Sequence, residues 1–279
     1  MPHAPKILVF DSGVGGLSVL AALRERLPGC DFVFACDNAA FPYGTKSEAE
    51  LMARVDRVVR QLIHHLSPDL LVIACNSAST IALPRLRAQL RQPVVGVVPA
   101  IKPAAQISAT KVIGLLGTPA TVRRGYTRQL IADFAAHCQV ISLGSAALVE
   151  IAEQALRGVP PDPDELREIL APLFEVELLD TLVLACTHFP LLTAELNAVA
   201  PRPLHWIDSG AAVARRVASL LPDWQPAADT GFRACFTSPA NLGALYPALA
   251  SLGCTRIEVR DADGIDHGSP ADFPAIAAG

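Results

Sequence analysis

Aromatic residues are scarce in this sequence, 5% of 279 residues, while hydrophobic residues of all kinds make up 51%. Any core must therefore be filled mainly by aliphatic side chains. Positive charge is not in surplus either: 23 Lys and Arg face 27 Asp and Glu, a formal net charge of -4, with no basic stripe. That removes the electrostatic case for nucleic acid or an anionic membrane surface as a partner. No stretch approaches the roughly 18 apolar residues of a membrane span. Met1-Pro2-His3-Ala4-Pro5-Lys6 leads directly into a short apolar run, so a soluble cytoplasmic protein is expected. The seven cysteines, at positions 30, 36, 75, 138, 186, 235 and 254, form no CxxC pair and keep no histidine-rich spacing. An odd, scattered set of this kind points away from a disulfide framework and from a metal site. The length suits one large or two ordinary α/β domains, each with a sizeable core.

What is present is a repeat. Asp69-Leu70-Leu71-Val72-Ile73-Ala74-Cys75-Asn76-Ser77 returns as Asp180-Thr181-Leu182-Val183-Leu184-Ala185-Cys186-Thr187-His188, with five of the first seven positions identical. Each copy reads as a buried parallel strand that delivers a thiol to its carboxyl end, where open α/β sheets bind ligands. Phe10-Asp11-Ser12-Gly13 and Ile207-Asp208-Ser209-Gly210 form a second echo. Two related halves that approach one site from opposite sides follow from both.

Strands alternate with helices along the whole chain, which predicts α/β architecture: two pseudo-symmetric, doubly wound lobes with mainly parallel sheets and the active site in the cleft between them. The expected division is 1–98 plus 211–260 for the first lobe, 99–210 for the second, and a loose tail over 261–279. Asp11-Ser12-Gly13-Val14-Gly15-Gly16 is not a dinucleotide fingerprint, because Ser18 stands where the third glycine belongs; its free N–H groups suit an anion instead. Ser47 and Glu50 predict a capping box, Thr118 and Pro119 a helix start, and Pro84 a bend or restart within a helix. Pro99 to Pro103 reads as a crossing between lobes. Tyr126, Leu130 and Phe134 are expected to form a buried stripe, and Pro239 to Leu252 a helix.

Two strand-end cysteines could bind a ligand between them, undergo redox chemistry, or act as acid and base on opposite faces of one carbon, which inverts that centre. Ser12, Asn76, Ser77, Thr187 and backbone N–H groups can hold carboxylates without arginine, and Asp11 complements an ammonium group. Helix N-termini are expected to lower the thiol pKa values.

The pieces FDSGVGG from Phe10, DNAAFPYG from Asp37, ACNSAST from Ala74, GTPAT from Gly117, LVE from Leu148, ACTHFPLL from Ala185 and IDSG from Ile207 occur in the order found in a known family. On these motifs the chain, from about Lys6 to about Val259, resembles the glutamate racemases of the aspartate/glutamate racemase superfamily. The resemblance implies interconversion of L- and D-glutamate without cofactor or metal, with D-glutamate feeding bacterial peptidoglycan synthesis, and a homodimer. It assigns acid/base roles to Cys75, which would deprotonate D-glutamate, and Cys186, which would deprotonate L-glutamate. Asp11, Asp37, Glu150 and His188 match positions that assist catalysis. Asp11, Ser12, Pro42, Tyr43, Gly44, Asn76, Ser77, Thr187 and His188 match the substrate wall, and Thr118 and Thr121 a pair that holds a carboxylate. Ser77 departs from the pattern, which more often has threonine there.

Overall fold

The computed structural model describes residues 4–264, 267 and 268. The chain opens with β1 (Lys6–Asp11), α1 (Leu17–Arg26), β2 (Asp31–Cys36), α2 (Glu48–Leu66), β3 (Leu70–Ile73), α3 (Asn76–Gln89) and β4 (Val94–Gly96). It continues through α4 (Ile101–Ile107), β5 (Val112–Gly117), α5 (Pro119–Arg123), α6 (Gly125–Phe134), β6 (Gln139–Gly144), α7 (Ala147–Leu156), α8 (Pro163–Phe174), β7 (Thr181–Ala185), α9 (Thr193–Val199) and β8 (His205–Ile207). It ends with α10 (Gly210–Ala218), β9 (Phe232–Phe236), α11 (Tyr246–Ser251) and β10 (Cys254–Val259).

Two parallel sheets result, one ordered β10-β9-β2-β1-β3-β4 and the other β6-β5-β7-β8. Helices cover both faces of each, so the central strands are apolar throughout rather than alternating. Ile7, Val9, Phe32, Phe34 and Val72 point to the face shared with α1, α10 and α11, while Leu8, Phe10, Val33, Leu71 and Ile73 point to α2 and α3. In the second sheet Leu182 and Leu184 face α7, α8 and α9, and Val183 and Ala185 face α4. Each lobe thus has a core on either side of its sheet.

The repeat has a structural basis. β3 pairs with β1 and β7 pairs with β5 in equivalent places. The aspartate that opens each copy fastens the neighbouring strand: Asp69 accepts the N–H of Lys6 at 2.8 Å, and Asp180 accepts those of Ala109 and Thr110 at 2.8 and 3.0 Å.

Several sequence expectations need correction. α3 runs through Pro84 without the restart that was one of the two outcomes expected there. The Pro99 to Pro103 crossing passes straight into α4, which contains Pro103 in its first turn, where a missing N–H costs nothing. Tyr126 and Phe134 are not a buried stripe but stand 43% and 40% exposed. α6 starts only at Gly125, and the Thr127 hydroxyl donates to the Thr121 carbonyl at 2.7 Å, which turns Thr127, Leu130 and Ile131 inward instead. The helix expected over Pro239 to Leu252 shrinks to a 3-10 turn, Gly243–Leu245, followed by α11. The segment from Asp261 does not begin as a loose tail, since Ala262 is buried in the core beside α2; residues 265, 266 and 269–279 lie outside the described residues. The capping box at Ser47 and Glu50 is present.

Candidate active site

The carboxyl ends of β1, β3, β5 and β7 converge on one cavity of about 340 Å³ between the lobes. Cys75 ends the β3 segment and is the N-cap of α3; Cys186 directly follows β7. Both line this cavity and both are nearly closed off, at 5% and 6% exposure. The other walls include Asp11, Ser12, Pro42, Tyr43, Gly44, Asn76, Ser77, Thr118, Glu150, Thr187 and His188.

The two thiols have different surroundings. Cys75 Sγ lies 3.7 Å from the Ser12 hydroxyl, on the side of Asp11. Burial pushes its pKa well above the ordinary thiol value and the Asp11 carboxylate adds to this, against the N–H of Ala78 in the first turn of α3. The lowering expected from the helix N-terminus is present but loses to desolvation. Asp11 is itself raised by burial, opposed by His188, the Ser12 N–H at 2.6 Å and the Thr187 hydroxyl at 2.9 Å.

Cys186 Sγ instead lies 3.7 Å from His188 Nδ1, while His188 Nε2 meets Glu153 Oε1 at 2.9 Å. Burial disfavours the imidazolium, but the Cys186 sulfur and the Glu153 carboxylate outweigh it and hold His188 up at about 10. Burial likewise acts to raise Glu153, and His188, the Val14 N–H and Arg157 reverse this to about 2. His188 therefore carries its proton at neutral pH and presents an N–H to each partner. The site thus sets a cation beside the Cys186 sulfur, whereas Cys75 is held as a thiol by burial and Asp11.

Around this centre, Tyr43 forms a wall whose hydroxyl donates to Asp37 at 2.5 Å. Asp37 also accepts from Arg54 at 2.6 and 2.8 Å and from Thr237 at 2.6 Å. Thr118 caps α5 and its hydroxyl lies 2.9 Å from that of Thr121. Asp37 and Thr121 are buried behind the wall rather than part of it.

The Asp/Glu/Hydantoin racemase family matches residues 17–217. The chain belongs to this family. It is 49% identical over 264 residues to a glutamate racemase of Pectobacterium carotovorum, with 92% of each chain covered, and 50% identical over 258 residues to one of Salmonella typhimurium, with 91% of each covered. Its structure matches that of Escherichia coli glutamate racemase in complex with L-glutamate and the activator UDP-MurNAc-ala, at TM-score 0.86 and 47% identity, over 91% of this chain and 97% of that one. Glutamate racemase from Thermus thermophilus in complex with β-chloro-D-alanine matches at TM-score 0.73 and 31% identity, over 93% and 98%.

Within this racemase-family site, sequence reasoning passed over Glu153. It placed an assisting carboxylate at Glu150, which lies exposed on the cavity wall; the carboxylate that reaches His188 is Glu153, one turn later in α7. The available signal is helical spacing: Glu153 stands four residues after buried Val149, on the inward side of α7, whereas Glu150 lies on its exposed side. Arg123, exposed at the end of α5, also lines the cavity, although the motifs themselves contain no arginine.

The glycine-rich turn after β1 binds an anion belonging to the protein itself, because the Val14 N–H donates to Glu153 Oε1 at 2.8 Å. Its glycines are dictated by close approach between the lobes. A Cβ on Gly15 would stand 2.5 Å from His188 Nδ1 and 2.7 Å from Thr187 Oγ1. Gly15→Ala is expected to push both side chains back and lower kcat/KM for glutamate by about tenfold, a modest case of the loss that misplacement causes. Steady-state kinetics beside a melting curve tests this, and unchanged kcat/KM would remove the steric argument.

Proposed function

We propose that this chain interconverts L-glutamate and D-glutamate by a cofactor-independent two-thiol mechanism, supplying D-glutamate for peptidoglycan synthesis. The observation that carries the reading is the placement of Cys75 and Cys186, one from each lobe, on the walls of a single cavity. Its volume of about 340 Å³ lies in the range of small-molecule sites.

With L-glutamate bound, the Cys186 thiolate takes the α-proton while the Cys75 thiol gives one to the opposite face; with D-glutamate the roles reverse. The α-carbon acid is far weaker than a thiol, so the carbanionic transition state needs fixed dipoles in a water-poor cleft. Ser12, Asn76, Ser77, Thr118 and Thr187 supply polar groups for the carboxylates, and Asp11 a negative partner for the ammonium group. Asp37 and Thr121 act through Tyr43 and Thr118, which they hold in place. His188, tied to Glu153, holds a positive N–H beside the Cys186 sulfur.

The decay of the circular dichroism of pure L-glutamate, with L-aspartate in parallel and protein free of metal and pyridoxal, tests the reaction. Loss of ellipticity to zero with glutamate alone is the expected result, and a flat glutamate trace would refute it. The homodimer belongs to the same proposal; sedimentation at the 29.5 kDa of one chain would remove it.

A further inference from the structure

The two sides of the cavity are fastened differently. On the Cys186 side, Val14 N–H donates to Glu153, the Thr187 hydroxyl to Asp11 at 2.9 Å, and the Ser18 hydroxyl to the Thr187 carbonyl at 2.8 Å. These bonds lie beside the reacting groups. On the Cys75 side the first lobe presents the first turn of α3, which carries Asn76 and Ser77 immediately after the thiol. Among the described residues, the hydrogen bonds from α3 to the second lobe come from one atom, Nη1 of Arg124. It donates to the Ser77 carbonyl at 2.8 Å and to the Thr80 hydroxyl.

Arg124 is suited to this work by its place in the chain. It lies between α5 and α6, ending one and N-capping the other, so its backbone is fixed by two helices. Its side chain is partly buried at the lobe boundary, where desolvation works against its charge while Glu48 favours it. A planar guanidinium can serve a carbonyl and a hydroxyl at once, which an ammonium does less well. Both thiols are more than nine-tenths covered, so how far the lobes stand apart along this rim sets how easily a molecule reaches them. A polar clasp can release into water, whereas an apolar seam would resist opening.

We propose that Arg124 is a positioning residue that clasps the second lobe to the first turn of α3, closing the cavity over bound substrate and fixing Ser77 in its wall. The proposal rests on the cavity being the glutamate site, but the measurement that decides it does not use glutamate.

The test is the rate at which iodoacetamide labels each cysteine of the intact, substrate-free protein, read by peptide mass spectrometry. Arg124→Ala is expected to label at Cys75 about tenfold faster than wild type, equivalent to about 1.4 kcal/mol in the opening equilibrium. Cys235, buried beneath α2, should keep its wild-type rate. Thr80→Val, which removes one of the two acceptors, should show a smaller rise at Cys75, and Arg124→Lys should lie between wild type and alanine. In parallel, KM for glutamate should rise more than kcat falls. Wild-type labelling of Cys75 in Arg124→Ala would overturn the clasp, and so would a rise shared equally by Cys235, which reports general loosening. If Arg124→Ala does not fold, Thr80→Val and Arg124→Lys decide by the same readout. Failure of the glutamate reading appears separately, as a flat circular dichroism trace with the wild type.

Discussion

Cys75→Ala and Cys186→Ala are each expected to reduce racemisation of glutamate by at least about 10³-fold, near the upper end of what a positioned acid or base contributes. Neither loss can be compensated by the other thiol, because inversion requires one group on each face of the carbon. The double variant should be little worse than either single one, since two groups that act as a unit do not contribute additively. Folding should survive, as each thiol is small and sits where the core meets the cavity wall, so its removal opens onto space already present. The measurement is glutamate racemisation by circular dichroism in both directions, next to thermal melts of all three variants. A single alanine variant with one-tenth of wild-type activity would defeat the two-thiol mechanism. Cys36→Ala is the appropriate control, because Cys36 is equally buried but lies in the core under α1.

The second large effect is expected at Glu153. Glu153→Gln leaves His188 buried beside Cys186 without its anionic partner, and breaking a buried pair in this way costs about 3–5 kcal/mol. The pH dependence has a definite sign. Glu153 is held down at about 2 from an ordinary 4.5, so its contribution is present above 4.5 and disappears as pH falls through 2. His188 is held up at about 10 from 6.5, so its contribution is complete below 6.5 and disappears as pH rises through 10. Wild type should therefore exceed Glu153→Gln in stability most at a pH between 4.5 and 6.5, with the gap closing in both directions. Urea unfolding at pH 3, 5.5 and 9.5 checks this, and a gap of constant size would exclude the ion pair as its origin. Activity should drop by about 10²-fold at neutral pH. Its alkaline limb should also move down from near 10, because the imidazolium beside the Cys186 sulfur now loses its proton more easily.

The parts of the fold legible in the sequence were those determined by short-range pattern. The two cysteine strands are near-continuous apolar runs because they are buried on both faces, and that signature needs no knowledge of what covers them. The capping boundaries at Ser47 and Thr118 were legible for the same reason, as the partners lie three residues apart. The inward face of α6 was not, since it depends on where Arg124 ends one helix and begins the next. Cys75 and Cys186 stood out through their repeat, but the acid that serves His188 is 35 residues away from it, and only the packing of α7 against the glycine turn brings Glu153 there. The electrostatics misled for a related reason. A helix N-terminus is visible in a sequence, while the burial that overrides it at Cys75 is a property of two lobes together.

The strand order has a consequence for how the chain is made. β2 sits inside its sheet with β9 on one side, yet β9 and β10 leave the ribosome only after the entire second lobe. The nascent first lobe must wait with the edge of β2 unpaired, a surface open to pairing with other chains. The second lobe is contiguous and can close its sheet as soon as β8 has emerged. The half that is started first is therefore finished last, and during synthesis the exposed edge of β2 is where a chaperone would find most to hold.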